Sequence, residues 1–179
     1  MILKALIIVA ALIALVLIFA ATKPATFRLQ RSISIDAPPQ MVFTLIDDLH
    51  NWPQWAPQDR EDPSMKRTYS GLAHGVGAAS EWTGSGNSGR GRMLIVESLP
   101  PRKISVQVDW VKPFVARNLN EFVLESTGAT TKVTWAMQGP NLYVMRIMGV
   151  FTNMDRTMGK HFETGLADLK AVAEHEPER

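Results

Sequence analysis

The sequence of 179 residues contains no cysteine, and it has no marked excess of charge of either sign. The absence of cysteine excludes disulfide bonds, thiolate nucleophiles and cysteine-based zinc sites, and it fits an oxidising compartment as well as a reducing one. The 19 basic and 17 acidic residues give a formal net charge of +2. This balance argues against nucleic acid as a partner, because phosphate binding normally requires a concentrated basic surface.

The sequence also lacks the common motifs for metal and phosphate binding. Its histidines show neither metal-ligand spacing nor a His-Glu-x-x-His helix; they are His50, His74, His161 and His175. The glycine-rich segment 84–91 lies between predicted strands and lacks the following helix that a phosphate-binding loop requires. The sequence therefore predicts neither a metal nor a cofactor.

The N-terminal segment contains a long apolar run. Residues 5–21 are 17 apolar residues with Lys4 before them and Lys23 after them, and such a helix spans roughly 26 Å, enough for a thin bilayer. A cleaved secretory signal is the alternative, but its apolar region is usually about 7 to 15 residues and ends at a small-x-small site. Here Ile18 or Phe19 occupies the first small-residue position. We predict an uncleaved anchor with a short linker over residues 1–25, in which residues 2–22 meet the membrane.

The side of the membrane that holds the rest of the chain is left open. Lys23, Arg28 and Arg31 follow the apolar run, whereas Lys4 and the amino terminus precede it, which favours a cytoplasmic domain. However, both arginines also fit a folded strand, so they are weak markers of orientation.

Residues 26–173 have the size of one domain, followed by a polar tail at 174–179. The first strand is predicted over 27–36, where apolar and polar residues alternate. Arg31 falls on its apolar face, and we attribute this to a bulge or an edge position. The prolines after Asp36 predict the start of a helix, with apolar residues at helical spacing: Met41, Val42, Leu45, Ile46 and Leu49.

The remainder of the domain predicts antiparallel strands and one long final helix. Segments 103–110 and 132–138 alternate between apolar and polar residues, and short turns between strands favour antiparallel pairing. Residues 141–173 predict a helix with a break at Gly149 or Asn153, and its apolar stripe is Met154, Met158, Phe162, Leu166 and Leu169. The predicted fold class is α+β, with a curved antiparallel sheet wrapped around the C-terminal helix.

Several strings across residues 27–170 resemble the START-like or helix-grip (SRPBCC) superfamily, and specifically its bacterial polyketide cyclase/dehydrase group with lipid-transport relatives. They are Arg31-Ser-Ile-Ser-Ile-Asp-Ala-Pro-Pro39, the loop of Trp52 and Trp55, Gly89-Arg-Gly-Arg-Met93, Lys112-Pro-Phe114, Thr134-Trp-Ala-Met137 and Phe162-Glu-Thr-Gly-Leu-Ala-Asp-Leu-Lys170. The resemblance implies an apolar pocket between the sheet and the C-terminal helix, usually for a lipid-like or polycyclic molecule. With the anchor, it also implies a single-pass protein of the bacterial inner membrane.

Large apolar side chains are the candidate ligand-binding residues. Aromatic residues supply rigid walls and methionine adapts to irregular shapes; the candidates are Trp52, Trp55, Trp82, Trp110, Phe114, Trp135, Met137, Met158 and Phe162. The same residue types can fill a dry core, and Trp52 and Trp55 can either close the core or line an entrance. The resemblance favours a cavity.

Catalytic groups are not predicted. Asp48, His50, Glu81 and Glu97 are candidate acids or bases, but no pattern pairs any of them with a second group, so solvated or capping roles are favoured. Three functions remain open. They are a non-enzymatic carrier or sensor of a hydrophobic molecule or lipid, a cyclase- or dehydrase-type enzyme acting on a polycyclic or acyl substrate, and a tethered interaction domain with a filled core.

Overall fold

The computed structural model describes residues 2–175 and contains five α-helices and seven β-strands in that range. In chain order they are α1 (Ile2–Thr22), β1 (Thr26–Ile35), α2 (Pro39–Asp47), α3 (Pro57–Glu61), β2 (Lys66–Ser70), β3 (Ala79–Thr83), β4 (Arg90–Leu99), β5 (Lys103–Lys112), β6 (Ala116–Thr127), β7 (Thr130–Pro140), α4 (Tyr143–Phe151) and α5 (Met154–His175). Single 3-10 turns cover Trp52–Gln54 and Gly86–Ser88.

All seven strands form one antiparallel sheet in the order β1-β7-β6-β5-β4-β3-β2. The first strand closes against the last, so β1 and β2 are the two edges. The helix α5 lies across β1 and β7, and α2 lies over β5 to β7. This arrangement confirms the predicted α+β fold, a curved sheet around a long C-terminal helix.

The side of the sheet that faces α2 and α5 carries the core. Ile104, Val106 and Val108 of β5 are buried on this side, as are Val133 and Trp135 of β7. The residues between them point to the outer side and are mostly polar, as the alternation predicts.

Arg31 lies on the core side of β1 without a bulge. The register of β1 against β7 is continuous from Thr26 to Ile35, so the bulge interpretation is wrong and the edge interpretation is correct. From this edge the Arg31 side chain crosses to α5, where Nε lies 2.8 Å from Glu163 Oε1 and Nη2 lies 3.1 Å from Asp155 Oδ2. A side chain at Gly159 would collide with the guanidinium, so glycine permits this close approach.

The C-terminal helical region is broken at Asn153, the second of the two predicted positions. There α4 ends at Phe151 and α5 begins at Met154, and Asn153 Oδ1 accepts a hydrogen bond from the Arg156 amide at 3.0 Å, as expected of an N-cap. The predicted stripe of α5 is buried at Phe162, Leu166 and Leu169 and partly buried at Met158. The side chain of Met154, Met1 and residues 176–179 of the predicted tail lie outside the described part of the chain.

The helix α1 contributes almost nothing to the core. Within residues 2–175 it is the one helix long and apolar enough to cross a membrane, and a signal sequence near the N-terminus would have the same properties. Its large apolar side chains are exposed, and it packs against α4. We call the end of the sheet next to α1 the proximal end. At this end β1 and β6 begin, and β5 and β7 end.

Candidate functional site: the aromatic core and its proximal end

Five aromatic rings form one buried cluster between the sheet and the helices, which we call the aromatic stack. They are Trp52, Trp55, Phe122, Trp135 and Phe162. The tightest pair joins the sheet to α5: the rings of Trp135 and Phe162 are 4.1 Å apart and nearly parallel, at 7°. Phe122 also stacks on Trp135, at 5.1 Å and 28°. The stack thus contains four of the nine predicted candidates and fills the space between β7 and α5 at its level.

The loop after α2 places two of these rings. The indole nitrogen of Trp52 donates to the carbonyl of Ile46 at 2.9 Å, and that of Trp55 donates to the carbonyl of Leu45 at 3.0 Å. Carbonyls in the last turn of a helix have no partner within the helix, so the two indoles bind the end of α2 while their apolar bodies fill the core. Both side chains are fully buried.

A second aromatic pair on the core side of the sheet joins β3 to β5. Trp82 and Trp110 meet edge to face at 5.0 Å, and the Trp82 indole donates to the Ser88 carbonyl at 2.9 Å. The Trp82 ring lies directly over Gly91, where any side chain would collide with it. Trp82 is buried, whereas Trp110 is only partly buried.

The remaining candidates lie toward the proximal end of the sheet. Met137 precedes the end of β7 and is buried, Met158 is partly buried in the first turns of α5, and Phe114 is 37% exposed in the β5–β6 loop. They do not join the aromatic stack. Trp110 and Phe27 are also partly buried at this end, so apolar side chains meet solvent there.

Two asparagines on the core side of β6 make the proximal half of the interior more polar than the predicted apolar pocket. Asn120 Oδ1 accepts a hydrogen bond from the Trp135 indole at 3.2 Å. Asn118 Nδ2 lies 3.9 Å from the sulfur of Met137, and Asn118 Oδ1 is buried without a hydrogen-bond partner among the described residues. Such an unpaired buried acceptor is costly, and a ligand hydroxyl or amide is one group that could satisfy it.

Sequence reasoning missed Phe122, Asn118 and Asn120, all of which lie on β6. Their alternation at positions 118, 120 and 122 is a signal for one sheet face. The signal is weak because the first two inner residues are polar asparagines, whereas Leu119 between them is apolar and lies on the outer face.

An open groove of about 600 Å³ lies at the proximal end, mostly on the outer side of the sheet. It is lined by Thr26, Phe27, Arg28, Gln107, Arg117, Asn118, Leu119, Gln138 and Gly139, and none of the nine predicted residues lines it. Its cations are paired, since Arg28 lies 3.1 Å from Glu121 and Arg117 lies 2.6 Å from Asp109. Burial opposes ionisation of Asp109, but hydrogen bonds from Arg117 and Gln107 hold its pKa below the usual value.

The candidate acids and bases are bound to neighbouring side chains and do not converge. His50 Nδ1 lies 2.8 Å from Asp48 Oδ1, and its ring stacks on Tyr69. Hydrogen bonds from Lys103 and Ser105 lower the pKa of Glu97. Across residues 2–175, no three His, Asp or Glu side chains lie close enough together to hold a metal ion.

A curved antiparallel sheet around a C-terminal helix, with an aromatic interior between them, defines the helix-grip class of proteins. The family model described as polyketide cyclase / dehydrase and lipid transport matches residues 26–174. The chain belongs to this family, as its sequence resemblance indicates. No curated protein matches the chain by sequence.

Solved structures share the fold at low sequence identity. A protein of Nitrosospira multiformis is 21% identical with a TM-score of 0.60, and the alignment covers 86% of this chain and 100% of that one. Ginseng major latex-like protein 151 from Panax ginseng is 13% identical with a TM-score of 0.62, covering 84% and 99%. A protein of Chromobacterium violaceum is 15% identical with a TM-score of 0.58, covering 86% and 100%. At these identities the similarity concerns the fold and not the ligand.

Proposed function

We propose that this protein is a membrane-tethered binding domain that holds a hydrophobic small molecule or lipid between its sheet and α5. In this proposal the aromatic stack is the floor of the site. Met137, Met158, Trp110 and Phe114 form its upper part, and the ligand enters at the proximal end. Trp52, Trp55, Trp82, Trp135 and Phe162 give the interior its shape.

The observation that carries the proposal is the contrast between the two halves of the interior. Trp135 and Phe162 are packed ring on ring, whereas toward the proximal end apolar side chains are partly exposed and Asn118 keeps an unpaired buried acceptor. An apolar space with a few polar groups is the usual form of a small-molecule site. The family description, which includes lipid transport, supports the same class of ligand.

The tether in this proposal is α1, which crosses the bacterial inner membrane once. Its 21 residues would span about 32 Å, close to the roughly 30 Å of a bilayer core. Its exposed apolar side chains fit lipid. We further propose that residues 26–173 fold as one domain without α1, because α4 is the element that α1 contacts most and the large apolar side chains of α1 are exposed.

Met137→Trp is the variant that tests the binding site. Met137 is the predicted candidate next to Asn118. The bulkier indole of tryptophan at this position should fill the ligand space. We expect wild-type protein in lipid nanodiscs to bind a long-chain fatty acid or an apolar fluorescent dye saturably. Met137→Trp should lose this binding with an unchanged melting temperature, and Met137→Leu, which conserves volume, should keep it. Empty nanodiscs measure the dye that partitions into lipid.

A filled core would give the opposite result. In a close-packed interior the extra volume of Met137→Trp costs about 1 to 3 kcal/mol. No saturable binding by the wild type, together with clear destabilisation by this variant, would reject the binding function and favour a tethered interaction domain.

A further inference from the structure

The short helix α4 carries an apolar stripe that the domain does not cover. Val144, Met148 and Phe151 are spaced by four and three residues, so they share one helix face, and they are 39%, 52% and 73% exposed. No residue of α4 is buried, and Arg146 is its only charged residue. Soluble domains rarely leave a contiguous apolar face in water without a partner.

The position of α4 is fixed by the last turns of α1. The Tyr143 hydroxyl donates to the carbonyl of Leu17 at 2.9 Å, and Arg146 Nη1 donates to the carbonyl of Lys23 at 3.3 Å. In return, Lys23 Nζ donates to the carbonyl of Gly149. Leu17 lies five residues before the end of α1, about 8 Å along the helix axis. Therefore, α4 reaches from the end of α1 to a level within its apolar run.

This depth is that of an interfacial helix. Amphipathic helices on membranes bury their apolar face about 5 to 10 Å into the boundary between head groups and acyl chains. Tyrosine favours the same level, and the stems of lysine and arginine can lie along lipid while their charges reach the head groups. The stripe fits acyl chains, and Lys23 and Arg146, which donate to carbonyls at the α1–α4 junction, lie at the level of the head groups.

The β5–β6 loop presents a second exposed apolar residue at the same end of the sheet. Val115 is 79% exposed at this loop, and Lys112 precedes it. Trp110 pairs with Ala116 at the base of the loop, so its tip projects beyond the proximal end. An apolar tip with a lysine beside it suits the same lipid surface.

We propose that α4 docks the domain on the bilayer, with Val144, Met148 and Phe151 inserted among the lipids around the end of α1. This inference rests on the proposed function, because it requires α1 to be a membrane anchor. The geometry favours a bilayer as the partner that covers the stripe. The stripe adjoins the exposed apolar surface of α1 and lies level with the end of its apolar run. Docking in this way turns the proximal end of the sheet, and with it the proposed ligand entrance, toward the membrane.

Single-cysteine variants of the full chain test the docking, because the natural sequence has no cysteine. A spin label is placed at Met148 or Phe151, and the protein is reconstituted in vesicles of phosphatidylcholine and phosphatidylglycerol. Collision rates are measured with oxygen, which concentrates in lipid, and with a water-soluble nickel chelate. Leu99→Cys is the matched control, since Leu99 is also exposed but lies at the opposite end of the sheet. Ile13→Cys reports on the anchor itself.

We expect labels at Met148 and Phe151 to collide more with oxygen than with nickel, as the Ile13 label does, while the Leu99 label shows the reverse. Nickel-accessible labels on α4 with a lipid-embedded Ile13 label would overturn the docking and leave the anchor standing. Labels shielded from both reagents would show that a protein partner or a second copy covers the stripe, which also overturns it. A nickel-accessible Ile13 label would refute the anchor and the docking together.

Discussion

The pair of rings that joins the sheet to α5 should carry a large share of the stability of the domain. Phe162 is 2% exposed, and its ring lies 4.1 Å from that of Trp135. Replacing a buried phenylalanine by alanine costs about 3 to 5 kcal/mol, because apolar contact is lost and a cavity remains. In a domain of this size, each kcal/mol shifts the melting temperature by about 2 to 4 °C. Phe162→Ala should therefore melt about 6 to 20 °C below the wild type.

The assay is thermal unfolding of the full chain in detergent, followed by tryptophan fluorescence, to which the three indoles of the aromatic stack contribute. Phe151→Ala is the matched control, since it makes the same change on the exposed face of α4. Exposed substitutions usually change stability by less than about 0.5 kcal/mol, so this control should melt within about 2 °C of the wild type. Equal melting temperatures for the two variants would refute the packing of α5 on β7 described above.

Two further predictions concern the strand register and the response to acid. Val106→Asp should lower the free energy of unfolding by several kcal/mol, because it buries an unpaired charge. Gln107→Lys on the outer face should change it by less than about 1 kcal/mol. Similar urea midpoints for the two variants would contradict the register. Hydrogen bonds to the Asp62 carboxylate, first from the Ser64 hydroxyl and then from the Ser85 amide, lower its pKa to about 2. Because its folded-state pKa is below the unfolded value, Asp62 stabilises the fold fully above about pH 4 and loses this contribution as the pH falls to about 2. Urea midpoints measured across this range should show a fall that Asp62→Asn reduces, and an unchanged fall in the variant would disprove the role of Asp62.

The sequence alone predicts the elements whose signal is periodic and local. The alternation in β1, β5 and β7, the apolar stripe of α5 and the apolar run of α1 each follow from burying one face of a strand or helix, or from the length that crosses a bilayer. The break at Asn153 is also local, because a side chain that caps a helix binds within its own first turn. For the candidate site, the sequence identifies the large apolar residues as a group.

Only the tertiary structure decides which of these residues meet. Trp135 stacks on Phe162 and Trp82 packs against Trp110 because sheet order and curvature bring distant strands and α5 together, and periodicity carries no information on that distance. Arg31 breaks the pattern of its strand in the sequence, yet it finds Asp155 and Glu163 across the edge of the sheet. The position of α4 on the end of α1 likewise depends on contacts between segments more than 120 residues apart in the chain. Such contacts depend on the pairing of β1 with β7, which places both helices at the proximal end of the sheet.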